Sequence, residues 1–275
     1  MQGGFCRFPG AAARGGGRPD NRAMPGLAPA LVVDGALARI TLRRPRLANR
    51  LELEDLRTLR AQLDAVNRDA RVRVLLLAAE GRHFCSGFNI HAAPGVDAGA
   101  LFEALSDDWE AARPITVASI QGGVYGGATD LALACDFRLG TAACEMFVPA
   151  ARLGLHFYRG GMQRYVTRLG LGWAKRVLLA GETLDAAAMH ASGFLDQLLA
   201  EPAALDAAVG ALLERLLGMA PLALLGMKKH LNAIARDALD LQALSADLAR
   251  ANASRDLAEG LRAWAERRAP EFDGE

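Results

Sequence analysis

Two short segments bring together residue types that can stabilise a developing negative charge. They are Gly81-Arg82-His83-Phe84-Cys85-Ser86-Gly87-Phe88-Asn89-Ile90 and Gln121-Gly122-Gly123-Val124-Tyr125-Gly126-Gly127-Ala128-Thr129-Asp130. Each follows an apolar run with the pattern of a buried strand, so each reads as a strand-to-turn junction. Glycines at such a junction permit close backbone approach, and a turn that opens a helix leaves N–H groups without acceptors. Either segment alone is what a simple chain reversal looks like. The pair is more specific and has anion-binding geometry, with Asp130 as a potential general base beside it. A cap or dipole partner near a helix start is the competing reading of that aspartate.

The elements that must position these segments follow from periodicity. Two apolar runs flank Asp34-Gly35, a dipeptide suited to a tight hairpin turn. Leu56, Leu59, Leu63 and Val66 recur at helical spacing, and Val74 to Ala78 is a continuous apolar run suited to a strand covered on both faces. A helix near Leu101 to Ala112, a strand at Ile115 to Ile120 and a helix at Ala128 to Ala134 continue the alternation, which predicts an α/β core. From about Pro202 the pattern becomes helical: Leu205, Val209, Leu212 and Leu216 form a stripe, Pro221 opens another helix, and Ala/Leu-rich sequence runs to about Arg268. The expected organisation is a disordered tail over 1–24, the core with its site over 25–200, and a helical subdomain over 201–275. The Arg-bearing tail fits a solvated extension, or translation that begins at Met24.

Composition narrows the function classes. The 275 residues are 52% hydrophobic and 23% charged with a formal net charge of +1, so no global field steers the chain to nucleic acid. No apolar run reaches the roughly 18 residues of a membrane span and no signal-like segment stands near the start, which predicts a cytoplasmic protein without membrane or nucleic-acid partners. Cys6, Cys85, Cys135 and Cys144 lack metal-ligand spacing and read as reduced thiols. No metal site is expected.

Several motifs in register resemble the enoyl-CoA hydratase/isomerase (crotonase) superfamily from Leu31 to the C-terminus. Arg44-Pro45 with Asn49 and Leu51 is similar to its N-R-P-x-x-x-N-A-L segment, and Phe84 to Ile90 to its F-x-A-G-A-D-[LI] loop. Gly122 to Asp136 resembles G-x-x-x-G-G-G-x-E-L-A-x-x-C-D, and Pro149, Leu153-Gly154, Gly160-Gly161 and Gln163-Arg164 keep the register. The resemblance implies a spiral of ββα units with a C-terminal helical subdomain, assembled as a homotrimer or dimer of trimers. It implies an acyl-CoA substrate, with coenzyme A entering as part of that substrate and no other cofactor. The backbone N–H groups of Phe88 and Gly127 would form an oxyanion hole for the thioester, and Asp130 would match the first of two acid/base carboxylates.

The second carboxylate position falls on Ala150, which cannot carry a proton. Hydration needs one group to activate water and another to protonate the α-carbon, so the pattern predicts an isomerase, decarboxylase or hydrolase rather than a standard hydratase. A non-catalytic acyl-CoA-binding relative and a hydratase using a substitute acid are the alternatives. His91, Tyr125, His156, Tyr158 and Arg159 are the nearby candidates for substitution, the last three on the loop beyond Ala150. The resemblance also implies substrate or coenzyme A contacts at Arg46, Ala48, Arg50, Ser86, Gly87, Tyr125, Gly126, Ala150 and His156. Lys228 and Lys229 are further candidates for phosphate, against a default reading as solvent-facing lysines.

Overall fold

The computed structural model describes residues 26–89 and 97–275; the tail over 1–24, Ile90 and His91 lie outside the described residues. Strands β1 (Leu27–Asp34) and β2 (Leu37–Arg43) form the hairpin that Asp34-Gly35 predicts, with Asp34 paired to Leu37. Helix α1 (Leu53–Arg68) buries the Leu56, Leu59, Leu63 and Val66 stripe and leads to β3 (Val74–Ala79). Helix α2 (Ala98–Glu110) precedes β4 (Ile115–Ile120). The short β5 (Val124–Tyr125) then runs into α3 (Gly127–Leu133) and β6 (Phe137–Thr141). Next come β7 (Glu145–Phe147), α4 (Arg159–Leu178), β8 (Leu184–Asp185), α5 (Ala186–Ala191) and β9 (Gln197–Leu199). Helices α6 (Pro202–Leu217), α7 (Pro221–Ala235), α8 (Leu241–Asn252) and α9 (Arg255–Glu266) complete the chain.

The main sheet has the order β1-β2-β3-β4-β6-β9, parallel from β2 onward, and β5, β7 and β8 form a second small sheet. Alternation along the strands builds two apolar layers. Leu75 and Leu77 face the layer made by α1 to α4, whereas Val74, Leu76, Ile115 and Val117 face Leu205, Val209, Leu212 and Leu216 of α6. A continuous apolar run in β3 is what two-sided cover requires. Because β2, β3, β4 and β6 are parallel, the loops leaving β3 and β4 emerge at one end of the sheet, and these are the two glycine-rich segments. Arg159 corrects the sequence reading of a loop there: it is the first residue of α4, with Tyr158 as its N-cap.

Leu59 is fully buried in the larger layer. Leu59→Ala is expected to lower unfolding free energy by about 2–5 kcal/mol through lost transfer energy and a residual cavity, measured by urea denaturation.

Candidate active site

Polar side chains fold the first loop onto the second. Asn49 is buried and donates from Nδ2 to the carbonyls of Glu80 and His83, both at 2.8 Å, while its Oδ1 accepts from the Arg44 N–H at 2.8 Å. Gln121 Nε2 lies 2.9–3.1 Å from the carbonyls of Ala79, Gly81 and His83. Arg44 is locked in turn by a buried bidentate pair with Asp55. The Arg44-Pro45 and Asn49 motif therefore satisfies loop carbonyls that the end of β3 leaves without ladder partners.

The two segments then zip together. Phe84 and Cys85 donate to the Gly123 carbonyl, and Tyr125 N–H donates to Cys85 O at 2.9 Å. Gly87, with φ +86°, sits so close to the second segment that a Cβ there would lie 2.8 Å from the Tyr125 carbonyl oxygen and 3.4 Å from the Gly127 nitrogen. Phe88 is held against Leu51 by bonds from Leu51 N to Gly87 O and from Asn89 N to Leu51 O, a pattern that leaves the Phe88 N–H unused. Gly127 opens α3, so its N–H has no intrahelical acceptor. Among the described residues neither amide has a protein acceptor, and the Gly87 contact sets them side by side. Two adjacent unpaired N–H groups can hold an oxyanion.

Asp130 lies one turn beyond Gly127 and is 0% exposed. Arg164 of α4, 1% exposed, grips it with Nε on Oδ1 and Nη2 on Oδ2, both at 2.7 Å, and the Tyr158 hydroxyl donates to Oδ2 at 2.9 Å. Asp130, expected as a potential general base, thus carries partners on both of its carboxylate oxygens. A bidentate charge-assisted bond in a buried site occupies both oxygens. The third Arg164 nitrogen reaches Asp107 at 2.6 Å and Glu110 at 3.2 Å. Burial works against the Arg164 charge, and these three carboxylates outweigh it. Arg164 is the site residue that sequence reasoning missed. Its signal was its place in the Gln163-Arg164 pair, with Arg168 one turn on, but nothing in spacing says that it meets Asp130.

The remaining candidates divide. Ala150 follows Pro149, whose Cδ is 3.9 Å from a Cβ built on Gly126, so the chain just before Ala150 passes the donor loop. Ser86 N–H donates to Ala48 O at 2.8 Å, which joins Ala48 to the first glycine-rich segment, with Arg46 two residues before it in the chain. Arg50 belongs to an ion pair with Glu52 at 2.8 Å. Tyr125 brings its backbone to Gly87 but turns its phenol to Glu145 at 2.6 Å, so its hydroxyl does not serve this site. His156 is exposed with Nδ1 at 2.7 Å from Phe157 O. Lys228 is buried, donating to Pro114 O at 2.6 Å and paired with Asp136 at 2.7 Å, which removes it as a phosphate ligand. Lys229 is paired with Asp247 at 3.0 Å. Cys85 hydrogen-bonds to Asn49 O, and burial pushes its thiol up to about 12, away from nucleophilic use. A cavity of about 1000 Å³ lies at the opposite end of the strands, bounded by Gly35, Ala70, Arg73, Ala112 and Lys229, remote from the paired amides.

Removing Arg164 leaves the buried Asp130 without a cationic partner, while Arg168 and Arg236 still hold Glu110 and Asp107. Arg164→Met is expected to cost about 3–5 kcal/mol in urea unfolding at neutral pH. In the intact protein burial opposes the Glu110 charge, but Arg168, Arg164 and Arg236 outweigh it and hold its pKa below the ordinary 4.5. A depressed folded-state pKa contributes stability that is present above that value and lost as pH falls through the folded pKa. The wild-type urea midpoint should therefore drop as pH is taken below 4.5, and the variant should show a shallower drop.

The family model for enoyl-CoA hydratase/isomerase matches residues 33–275. A probable enoyl-CoA hydratase of Rhizobium meliloti is 32% identical, with the match covering 64% of this chain and 70% of the relative. The human enoyl-CoA hydratase domain-containing protein 2, mitochondrial, is 30% identical over 98% of this chain and 94% of its own length. A crotonyl-CoA hydratase of Syntrophomonas wolfei is 27% identical, covering 86% of this chain and 94% of that protein. Among solved structures, an enoyl-CoA hydratase from Bacillus anthracis superposes with a TM-score of 0.83 at 25% identity, covering 90% of this chain and all of that one. The α/β core with its paired amides and the helices that follow lie inside one continuous match, and the chain belongs to the enoyl-CoA hydratase/isomerase family.

Proposed function

We propose that this protein binds an acyl-CoA thioester, stabilises its enolate through the Phe88 and Gly127 amides, and forms that enolate without a protein base, by loss of an α-carboxylate. The observation that carries the reading is the closed state of Asp130, held by Arg164, together with an alanine at 150. Hydration, proton-shuttling isomerisation and hydrolysis each ask a side chain to take a proton, a contribution of about 100- to 10,000-fold per group. Decarboxylation asks for none. The α-carbon to carboxylate bond breaks, its electron pair enters the enolate, and the charge collects on the thioester oxygen beside the paired amides. Relatives named for crotonyl-CoA and 2,3-dehydroadipyl-CoA support a coenzyme A ester as substrate.

Arg46, Ala48 and Ser86 would meet the coenzyme A portion, and no resident cofactor takes part in this scheme. Exposed apolar side chains on α7 to α9, including Leu231, Ile234, Leu261 and Trp264, support assembly as a trimer or dimer of trimers. A cytoplasmic location accords with the sequence reading. The sealed Asp130 is also what a binding protein without turnover would carry, and activity separates the two.

Purified protein incubated with malonyl-, methylmalonyl- and crotonyl-CoA should release CO₂ from the α-carboxylated esters and leave crotonyl-CoA unhydrated, followed by mass spectrometry. Phe88→Pro, which removes one amide donor, should slow turnover about 100- to 1000-fold, while Phe88→Ala keeps the donor and most activity. Rapid hydration of crotonyl-CoA would sink the base-free reading, and tight ester binding without any product would favour the binding protein.

A further inference from the structure

An enolate made by loss of CO₂ still has to gain a proton at its α-carbon. We propose that the Tyr158 hydroxyl donates that proton, with Asp130 and Arg164 acting as positioning residues behind it; the inference rests on the base-free reading above.

The geometry singles out Tyr158. It is the only group other than Arg164 whose side chain touches the Asp130 carboxylate among the described residues, and it carries a transferable proton. Asp130 is sealed whereas Tyr158 is half-buried. Asp130 stands in the first turn of the helix that Gly127 opens, so the hydroxyl bonded to its carboxylate is tied to the helix of that donor amide. Its ring stacks on Phe157 with centroids 4.7 Å apart. The pair lies back on α4 only because residue 161 is glycine: a Cβ there would come within 2.4 Å of the Phe157 ring and 2.8 Å of the Tyr158 ring. Among the described residues, the Tyr125 hydroxyl is committed to Glu145, and His156 is exposed with Nδ1 on the carbonyl of Phe157.

Asp130 fixes the phenol oxygen in place, and the hydroxyl hydrogen can rotate from Asp130 toward the enolate. The new C–H bond forms as the O–H bond breaks, leaving its electron pair on the tyrosinate. Burial, and then the neighbouring Asp130 charge, push the phenol pKa well up, so the tyrosinate reclaims a proton from water at once. The hydroxide so formed combines with CO₂, and the sum is ester plus water giving decarboxylated ester plus bicarbonate. Arg164 limits the cost of two adjacent anions during the transfer.

The test is decarboxylation of methylmalonyl-CoA in D₂O by the full chain and by Tyr158→Phe, which keeps the ring and leaves the Arg164–Asp130 pair intact. Wild-type protein should give product with one α-deuterium in a single configuration. The variant should lose about 100-fold in kcat, or give product of mixed configuration, or both, with KM within a few-fold. A merely structural tyrosine would not alter the configuration. Unchanged kcat with a single configuration in the variant overturns the assignment of Tyr158 and leaves the base-free reading standing. Absence of decarboxylation by the wild-type chain overturns both.

Discussion

A guanidinium buried as deeply as Arg164 must be surrounded by acceptors, and that demand organises the site side of the molecule. Its forked nitrogens take Asp130 from α3 and both Asp107 and Glu110 from α2. Glu110 also takes Arg168 at 2.8 Å, and Arg236, just past α7, reaches the same carboxylates. Three cations and three anions from four helices thus neutralise each other around the buried Arg164, Asp130 and Glu110. The helix that carries Gly127 is held by this network at its next turn, so the donor amide inherits the rigidity of the ion pairs.

The other donor is positioned by a different device. Parallel strands release their loops at one end, and loop carbonyls there need donors from outside the ladder. Asn49 and Gln121 supply them with side-chain amides, each reaching more than one carbonyl. The resulting surface has two amides without internal acceptors and a sealed carboxylate beside them. Such a surface favours chemistry that moves charge onto an oxygen over chemistry that moves protons through a carboxylate.

The C-terminal helices are joined to the core by charge as much as by apolar cover. Lys228 pins α7 to Pro114 and Asp136, and Arg236 ties its end to α2. Met227, Leu231 and Ile234 on α7 are exposed, as are Leu257, Leu261 and Trp264 on α9, the last 87% exposed. On α7 and α9 several polar residues, Lys228, His230, Asp256 and Glu259, are buried while these apolar ones are exposed.

Much of the scaffold was legible in the residues themselves. The Asp34-Gly35 hairpin, the α1 stripe, the continuous run of β3 and the stripe from Leu205 to Leu216 are local patterns whose period records which faces are covered. The paired glycine-rich segments were equally visible, because unpaired amides at strand-to-helix turns follow from backbone geometry. What sequence could not show was how the side chains there are spent. Asp130 and Arg164 stand 34 residues apart, the Tyr125 phenol turns away from its own backbone, and Lys228 goes inward. Spacing along a chain fixes the period of an element and the order of its loops; the partner of a buried charge is decided by which helix faces the gap, and only packing in three dimensions chooses that.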